Sequence, residues 1–208
     1  MRVDPAGYPF VGVSAGLALV AGLVVSPWLA LPFVLLAGFF LFFFRDPDRT
    51  AAPGDDLVLS PADGRVLVAG PAVANAAPAG DWQQISIFLS PMNVHVNRVP
   101  VSGRVTKVSY TPGRFLPAYA HDAATANERS EIWIDHRGQP IVARQIVGVL
   151  ARRVVCRLQA GVDVRAGDRY GVMKFGSRMD IFLPMSAELK VEVGAVVRAA
   201  ETIIAVLH

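Results

Sequence analysis

The chain has 208 residues, 53% of them hydrophobic, and 20 Lys+Arg against 17 Asp+Glu give a formal net charge of +3. That charge is too mild for a nucleic-acid binder, and no stretch interleaves clustered basic residues with aromatics, so no nucleic-acid partner is expected. The single cysteine, Cys156, excludes an intramolecular disulfide and a cysteine-built metal site, and its neighbours Val154, Val155 and Leu158 mark it as a small core residue.

The first predicted element is apolar. No charged residue occurs from Pro5 to Phe44, and this stretch is interrupted by Ser26-Pro27 and again by Pro32. Its halves, Phe10 to Val25 and Trp28 to Phe44, each fall a little short of the roughly 20 helical residues that cross a bilayer. The pattern predicts a helical hairpin that either crosses a thin bilayer twice or dips in and returns. A secretory signal would have a basic start, a shorter apolar run and a small-residue cleavage site before a polar chain, whereas apolar sequence here continues past any such site. Arg2 before the hairpin and Arg45 and Arg49 after it place both ends on the cytoplasmic face of the cell membrane. The expected division is a membrane hairpin, 1–48 (apolar 9–44), followed by a β-rich domain, 49–208.

From residue 50 onward, short β-branched runs alternate with Gly, Pro and Asp: DLVLSPADGRVLVAG, WQQISIFLS, NVHVNRVPVSGRVTKVSY, RSEIWIDHRGQPIVARQIVGVLARRVVCRL and VEVGAVVRAAETIIAVLH. Residues 71–80 form a small-residue loop, and 111–130 form one long segment without strand character, a length usually reserved for a functional or mobile loop. LQAGVDVRAGDRYGVMKFGS and LKVEVGAVVRAAETIIAVL share a cadence that resembles the hairpins of biotinyl and lipoyl carrier domains. The expected fold is mainly β, a barrel-sandwich-like domain behind a helical hairpin.

Three segments carry candidate chemistry. KFGSRMDIFLP places Gly176-Ser177 between two strand-like runs, where a plain turn is one reading. The other is a serine positioned to attack the preceding carbonyl, which Gly leaves sterically open, provided that a histidine with an orienting carboxylate takes its proton. LSPMNVHVNRVP supplies His95 and SPADG supplies Asp63. The four histidines lack close metal-ligand spacing, so no metal is expected.

FFFRDPDR (42–49), SPADGRV (60–66), FLSPMNVHVNRVP (88–100), Asn127-Glu128-Arg129 and KFGSRMDIFLP (174–184) together resemble the short form of the phosphatidylserine decarboxylase family, in family order and over most of the chain. The resemblance implies that the Gly176–Ser177 bond cuts itself. His95, held by Asp63, would deprotonate Ser177, and the chain would become 1–176 and 177–208, which stay associated. Ser177 would become a covalent pyruvoyl group, the cofactor for converting phosphatidylserine in the membrane to phosphatidylethanolamine with loss of CO2.

Long family members commonly carry two histidines where this chain has His95 and Arg98. His95 would then serve both self-cleavage and decarboxylation, or another residue takes one role, with His121 as the fallback donor. Arg98 and Arg178 are candidates for the substrate phosphate or carboxylate, and Asn127 and Glu128 for a supporting role near the site. Two other classes fit the residues taken singly: a membrane-tethered lipid-binding or carrier-like module in which Gly176-Ser177 is a turn, and an uncleaved serine hydrolase. Archaetidylserine is the nearest competing substrate, and the sequence leaves the oligomeric state open, a homo-oligomer included.

Overall fold

A computed structural model describes residues 2–73, 76–120, 122–149, 154–174 and 177–208. The chain forms two compact units, Met1–Asp48 and Arg49–His208.

In the first unit, β1 (Arg2–Val3) pairs antiparallel with β2 (Arg45–Asp46), with Arg2 opposite Asp46, and so ties together the two ends of the apolar stretch. A 3-10 turn, Pro5–Gly7, is capped by the Asp4 carboxylate, which accepts from the Ala6 N–H at 2.9 Å. Helix α1 (Tyr8–Val20) runs into a π-helical turn, Ala21–Val25, and extended Ser26 then breaks it before α2 (Pro27–Phe43). Proline at the first position of α2 costs nothing, because that N–H has no partner in a helix. The break falls at the predicted Ser26-Pro27. Phe10 packs on Phe40 and Phe44, with ring centroids at 5.2 Å and 5.5 Å. A side chain at Gly7 would collide with the Phe44 ring, which explains the glycine. The helices turn Leu23, Val24 and Trp28 outward, and Pro5–Val25, 21 residues of mean hydropathy 2.0, is long and apolar enough to cross a membrane. Pro27–Phe43 is shorter.

The second unit is built from sheets. Its strands are β3 (Leu57–Leu59), β4 (Gly64–Pro71), β5 (Gln83–Leu89), β6 (Val96–Arg98), β7 (Gly103–Thr111), β8 (Arg129–His136), β9 (Gln139–Val147), β10 (Val154–Cys156), β11 (Asp163–Val164), β12 (Arg169–Met173), β13 (Ser177–Leu183), β14 (Glu188–Leu189), β15 (Val196–Val197) and β16 (Ile203–Val206), with a short helix α3 (Ala123–Ala126). An eight-stranded sheet has the order β11-β7-β8-β9-β13-β5-β4-β15, and two three-stranded sheets have the orders β10-β12-β6 and β14-β16-β3.

Strand alternation sorts β13 cleanly. Ser177, Met179, Ile181 and Leu183 share one face, and the last three join the main core with Ile85, Ile87, Leu89, Ile132 and Ile141. Arg178, Asp180 and Phe182 share the other face. There Arg178 Nε donates to Asp180 Oδ1 at 2.6 Å and its Nη2 to Ser86 Oγ at 2.9 Å, a fully buried ion pair.

The two similar segments form two similar hairpins. β11 lies on β7 with Val164 opposite Gly103, and β15 lies on β4 with Val197 opposite Gly64. Each turn needs a positive φ at the same place, +88° at Gly167 and +64° at Ala200. Each is also capped by the strand it covers: Ser102 Oγ accepts from the Ala166 N–H at 3.0 Å, and Asp63 Oδ1 accepts from the Ala199 N–H at 2.8 Å. The fold is the mainly β, carrier-like hairpin architecture expected from the sequence.

Candidate active site

Ser177 is the first residue of β13 and pairs with Leu89 of β5 on one side and Val147 of β9 on the other. It is fully buried, and its Oγ has no hydrogen-bond partner among the described residues. A buried hydroxyl without a partner costs about 1–3 kcal/mol. Gly176, the other half of the candidate cleavage bond, lies outside the described residues, as does His121.

His95 precedes β6, and its carbonyl accepts from the Met173 N–H at 3.2 Å. Asn97 is the Cα partner of Gly171 in the same ladder. The face of this small sheet that carries His95, Asn97 and Gly171 packs against the Ser177 face of the large sheet, because Gln145 Nε2 of β9 donates to Asn97 Oδ1 at 2.8 Å. Gln145 pairs with Met179, and Val147 with Ser177. His95 and Ser177 therefore lie one step beyond the Gln145–Asn97 bond on their respective sheets, at the same end, where three residues link β12 to β13.

His95 Nδ1 is 2.9 Å from the Asn93 carbonyl oxygen. A carbonyl only accepts, so Nδ1 carries the proton and Nε2 is the basic nitrogen of the ring. Asn93 is fixed in turn, since its Oδ1 accepts from both the N–H and the hydroxyl of Ser90, at 2.9 Å and 2.8 Å. The SPMN turn thus sets the tautomer of the histidine two residues later.

Asp63 lies near the Ser177 end of the large sheet, with β5 between the two residues. Its carboxylate does not meet the imidazole among the described residues. Oδ2 accepts from Arg49 Nη2 at 2.7 Å and Oδ1 from the Ala199 N–H. The orienting contact expected between Asp63 and His95 is replaced by a buried Arg49–Asp63 pair, with only 3% and 12% of the two side chains exposed.

Asn127 lies beside Ser177 through Val147. All of its amide capacity goes to backbone: Nδ2 donates to Val147 O at 2.9 Å and Leu116 O at 2.8 Å, and Oδ1 accepts from the Leu116 N–H at 2.9 Å. It pins the long loop to the strand beside the serine and has no donor left for a substrate. Glu128 is buried, with its N–H on Arg114 O and its carbonyl on the Val147 N–H.

The two candidate substrate arginines lie elsewhere. Arg178 is on the opposite face of β13 from Ser177. Arg98 is buried at the far end of β6, donates to Gly167 O at 3.0 Å, and lines a cavity of about 740 Å³ with Arg49, Arg157 and Arg169. The sequence names both as candidates for the substrate phosphate or carboxylate; the strand register turns Arg178 away from the serine face.

Burial pushes the Cys156 thiol up, against weaker opposing hydrogen bonds that include one from Ser130, and it pushes the Tyr170 phenol well up. Both groups are neutral near pH 7 and line the inter-sheet space without adding charge. No group of His, Cys, Asp and Glu among the described residues is arranged to hold a metal.

The family model described as phosphatidylserine decarboxylase matches residues 36–205. The chain is similar to proteins named phosphatidylserine decarboxylase proenzyme. It is 44% identical over 194 residues to that of Pelodictyon phaeoclathratiforme, covering 91% of each chain. It is 43% identical over 210 residues to that of Chlorobium limicola, covering 98% of this chain and 99% of the relative. The protein from Burkholderia ambifaria is 42% identical over 203 residues, covering 97% and 94%.

Proposed function

Because this chain belongs to the phosphatidylserine decarboxylase family, we propose that it generates its own catalytic group by cutting the Gly176–Ser177 bond and then decarboxylates phosphatidylserine to phosphatidylethanolamine. Its reaction class is that of a carboxy-lyase. The observation that carries the self-cleavage reading is the buried Ser177 Oγ, without a partner among the described residues, at the same end of the packed sheets as a histidine whose tautomer is fixed.

The cleavage chemistry uses the chain's own groups. His95 Nε2 takes the Ser177 hydroxyl proton, and Oγ attacks the Gly176 carbonyl carbon. The C–N bond breaks, the nitrogen regains a proton, and an ester replaces the peptide. Loss of the Ser177 α-proton then expels the Gly176 carboxylate and leaves a dehydroalanine amine at residue 177. Tautomerisation and attack by water release ammonia and leave the pyruvoyl group. That group supplies a ketone conjugated to an amide, a sink for the electron pair left when carbon dioxide departs.

Burial of residue 177 suits the acyl shift, since bulk water does not compete with Ser177 Oγ for the Gly176 carbonyl, and the final hydrolysis needs a single water to enter. His95 then returns a proton to the substrate carbon. Asp63 acts indirectly, by neutralising Arg49 and capping the Ala199 turn. The two product chains stay together because 177–208 carries β13, hydrogen-bonded on both edges to β5 and β9. An uncleaved hydrolase would need an exposed serine hydroxyl, and this one is sealed.

The apolar hairpin associates the enzyme with a membrane, and Arg2 and Arg45 at its two ends orient the catalytic unit to the cytoplasmic face. Replacing Ser177 with alanine tests the self-cleavage reading: the variant chain should remain whole, and two fragments on a denaturing gel would overturn it.

A further inference from the structure

Three buried polar atoms without a hydrogen-bond partner among the described residues belong to side chains at the packed faces of the two sheets: Ser177 Oγ, Asn97 Nδ2 and Gln145 Oε1. Asn97 is fully buried and Gln145 is 1% exposed. The serine is accounted for by cleavage, but the two carboxamides are not. They are joined, since Gln145 Nε2 donates to Asn97 Oδ1 at 2.8 Å and has a second contact to Val155 O at 3.5 Å. This bond joins the two amides and leaves one donor group, on Asn97, and one acceptor oxygen, on Gln145, not bonded to each other.

The fold makes room for the pair. Gly171 lies across the ladder from Asn97 in a strand otherwise rich in large residues, and a Cβ there would sit 2.8 Å from Gln145 Nε2. A glycine inside a strand sacrifices packing and usually marks a close approach. Here the nearest approach is the Val155 carbonyl oxygen of β10, and the Gln145 amide comes next. On the other side lies β10, an edge strand half-buried along its length, so the polar space is one strand from solvent.

A ligand that satisfies both amides must present an acceptor and a donor on neighbouring atoms. An α-amino acid headgroup does so, with its carboxylate for Asn97 Nδ2 and its amino nitrogen for Gln145 Oε1. We propose that Asn97 and Gln145 form the recognition pair for the serine headgroup, one step along the strands from Ser177 and His95. This proposal rests on the decarboxylase reading and adds to it a basis for distinguishing substrate from product. Loss of the carboxylate leaves Asn97 Nδ2 unpaired again, so the ethanolamine headgroup is held less tightly than the serine headgroup. A site built to pair a group disfavours ligands that lack it, because its own buried polar atom is then left unsatisfied.

Asn97→Asp keeps the Oδ1 that accepts from Gln145 but replaces the donor with an oxygen that repels a carboxylate. The probe is the water-soluble 2-hydroxy analogue of the headgroup, glycerophosphoglyceric acid, which has the carboxylate but no reactive amine. Its binding to the processed protein is measured by titration calorimetry beside that of glycerophosphoethylene glycol, which lacks the carboxylate. In the wild type the first should bind at least tenfold tighter than the second. In Asn97→Asp that preference should disappear, in protein whose cutting into two chains on a denaturing gel shows that it has folded, although the buried carboxylate lowers its melting temperature. Should Asn97→Asp fail to fold, Asn97→Ser, which keeps a donor on a shorter arm, is read in the same titration and should lose several-fold of the preference. An unchanged preference in the folded variant overturns the pair's role. Failure of wild-type protein to release CO2 from phosphatidylserine vesicles would instead overturn the reading beneath it.

Discussion

His95 Nδ1 is hydrogen-bonded to the carbonyl oxygen of Asn93, two residues before it, at 2.9 Å. The bond fixes the tautomer with local backbone rather than with a carboxylate. His95→Ala should therefore accumulate uncut chain. Asn93→Ala removes the side chain that closes the turn on Ser90, and should slow cutting about tenfold, equivalent to roughly 1.4 kcal/mol. The measurement is the cut fraction on a denaturing gel through timed expression, and wild-type rates for both variants would remove this turn from the self-cleavage machinery.

Asp63 is expected to act on stability before chemistry. Asp63→Ala leaves buried Arg49 with the longer, 4.0 Å contact to Glu201 as its counter-charge, a change that costs up to the roughly 3–5 kcal/mol typical of a broken buried pair. The melting temperature should fall and cutting should slow without stopping. Complete loss of cutting at an unchanged melting temperature would show instead that the carboxylate acts on the imidazole itself.

Asn127→Ala removes three hydrogen bonds that hold Leu116 and Val147 together. With each bond worth about 1 kcal/mol net, the loop around Leu116 should detach from the sheet. Limited proteolysis should then cut within 112–120 far faster than in the wild type, while the core melts only slightly earlier. Equal proteolysis rates would mean that other contacts secure the loop.

The hairpin and the catalytic unit are separate compact units. Deleting residues 1–40 should leave self-cleavage intact, because Asp63, His95 and Ser177 all lie in the second unit. Turnover of bilayer phosphatidylserine should fall much more than turnover of a short-chain, water-soluble analogue. Residual binding through Arg45 should weaken with salt, since a basic residue near an anionic surface contributes about 1 kcal/mol. An unchanged ratio of the two rates would mean that the hairpin does not deliver substrate.

The strands, the break at Ser26-Pro27 and the paired hairpins were legible because they follow from local chemistry: β-branched alternation, a proline that starts a helix, and positive-φ turns at matched positions. Ser177 and His95 were legible as residues in motifs. What brings them to one end of the packed sheets was not, because the β6–β12 and β9–β13 registers depend on pairings across long stretches of chain. The same gap explains Arg178, which strand alternation turns to the far face, and Asp63, whose partner Arg49 lies 14 residues earlier. Asn97 and Gln145 left only a trace, as polar residues within VHVNRV and IVARQIV, strands whose residues on both faces the structure buries.

The central claim is that the Gly176–Ser177 bond is the source of the catalytic group, and the intact mass of the purified full-length protein tests it most directly. Two chains are expected, one ending at Gly176 and one of residues 177–208 whose first residue has the mass of a pyruvoyl group and resists amino-terminal sequencing. A single chain of 208 residues with an unmodified Ser177, in protein that still decarboxylates phosphatidylserine, would contradict it.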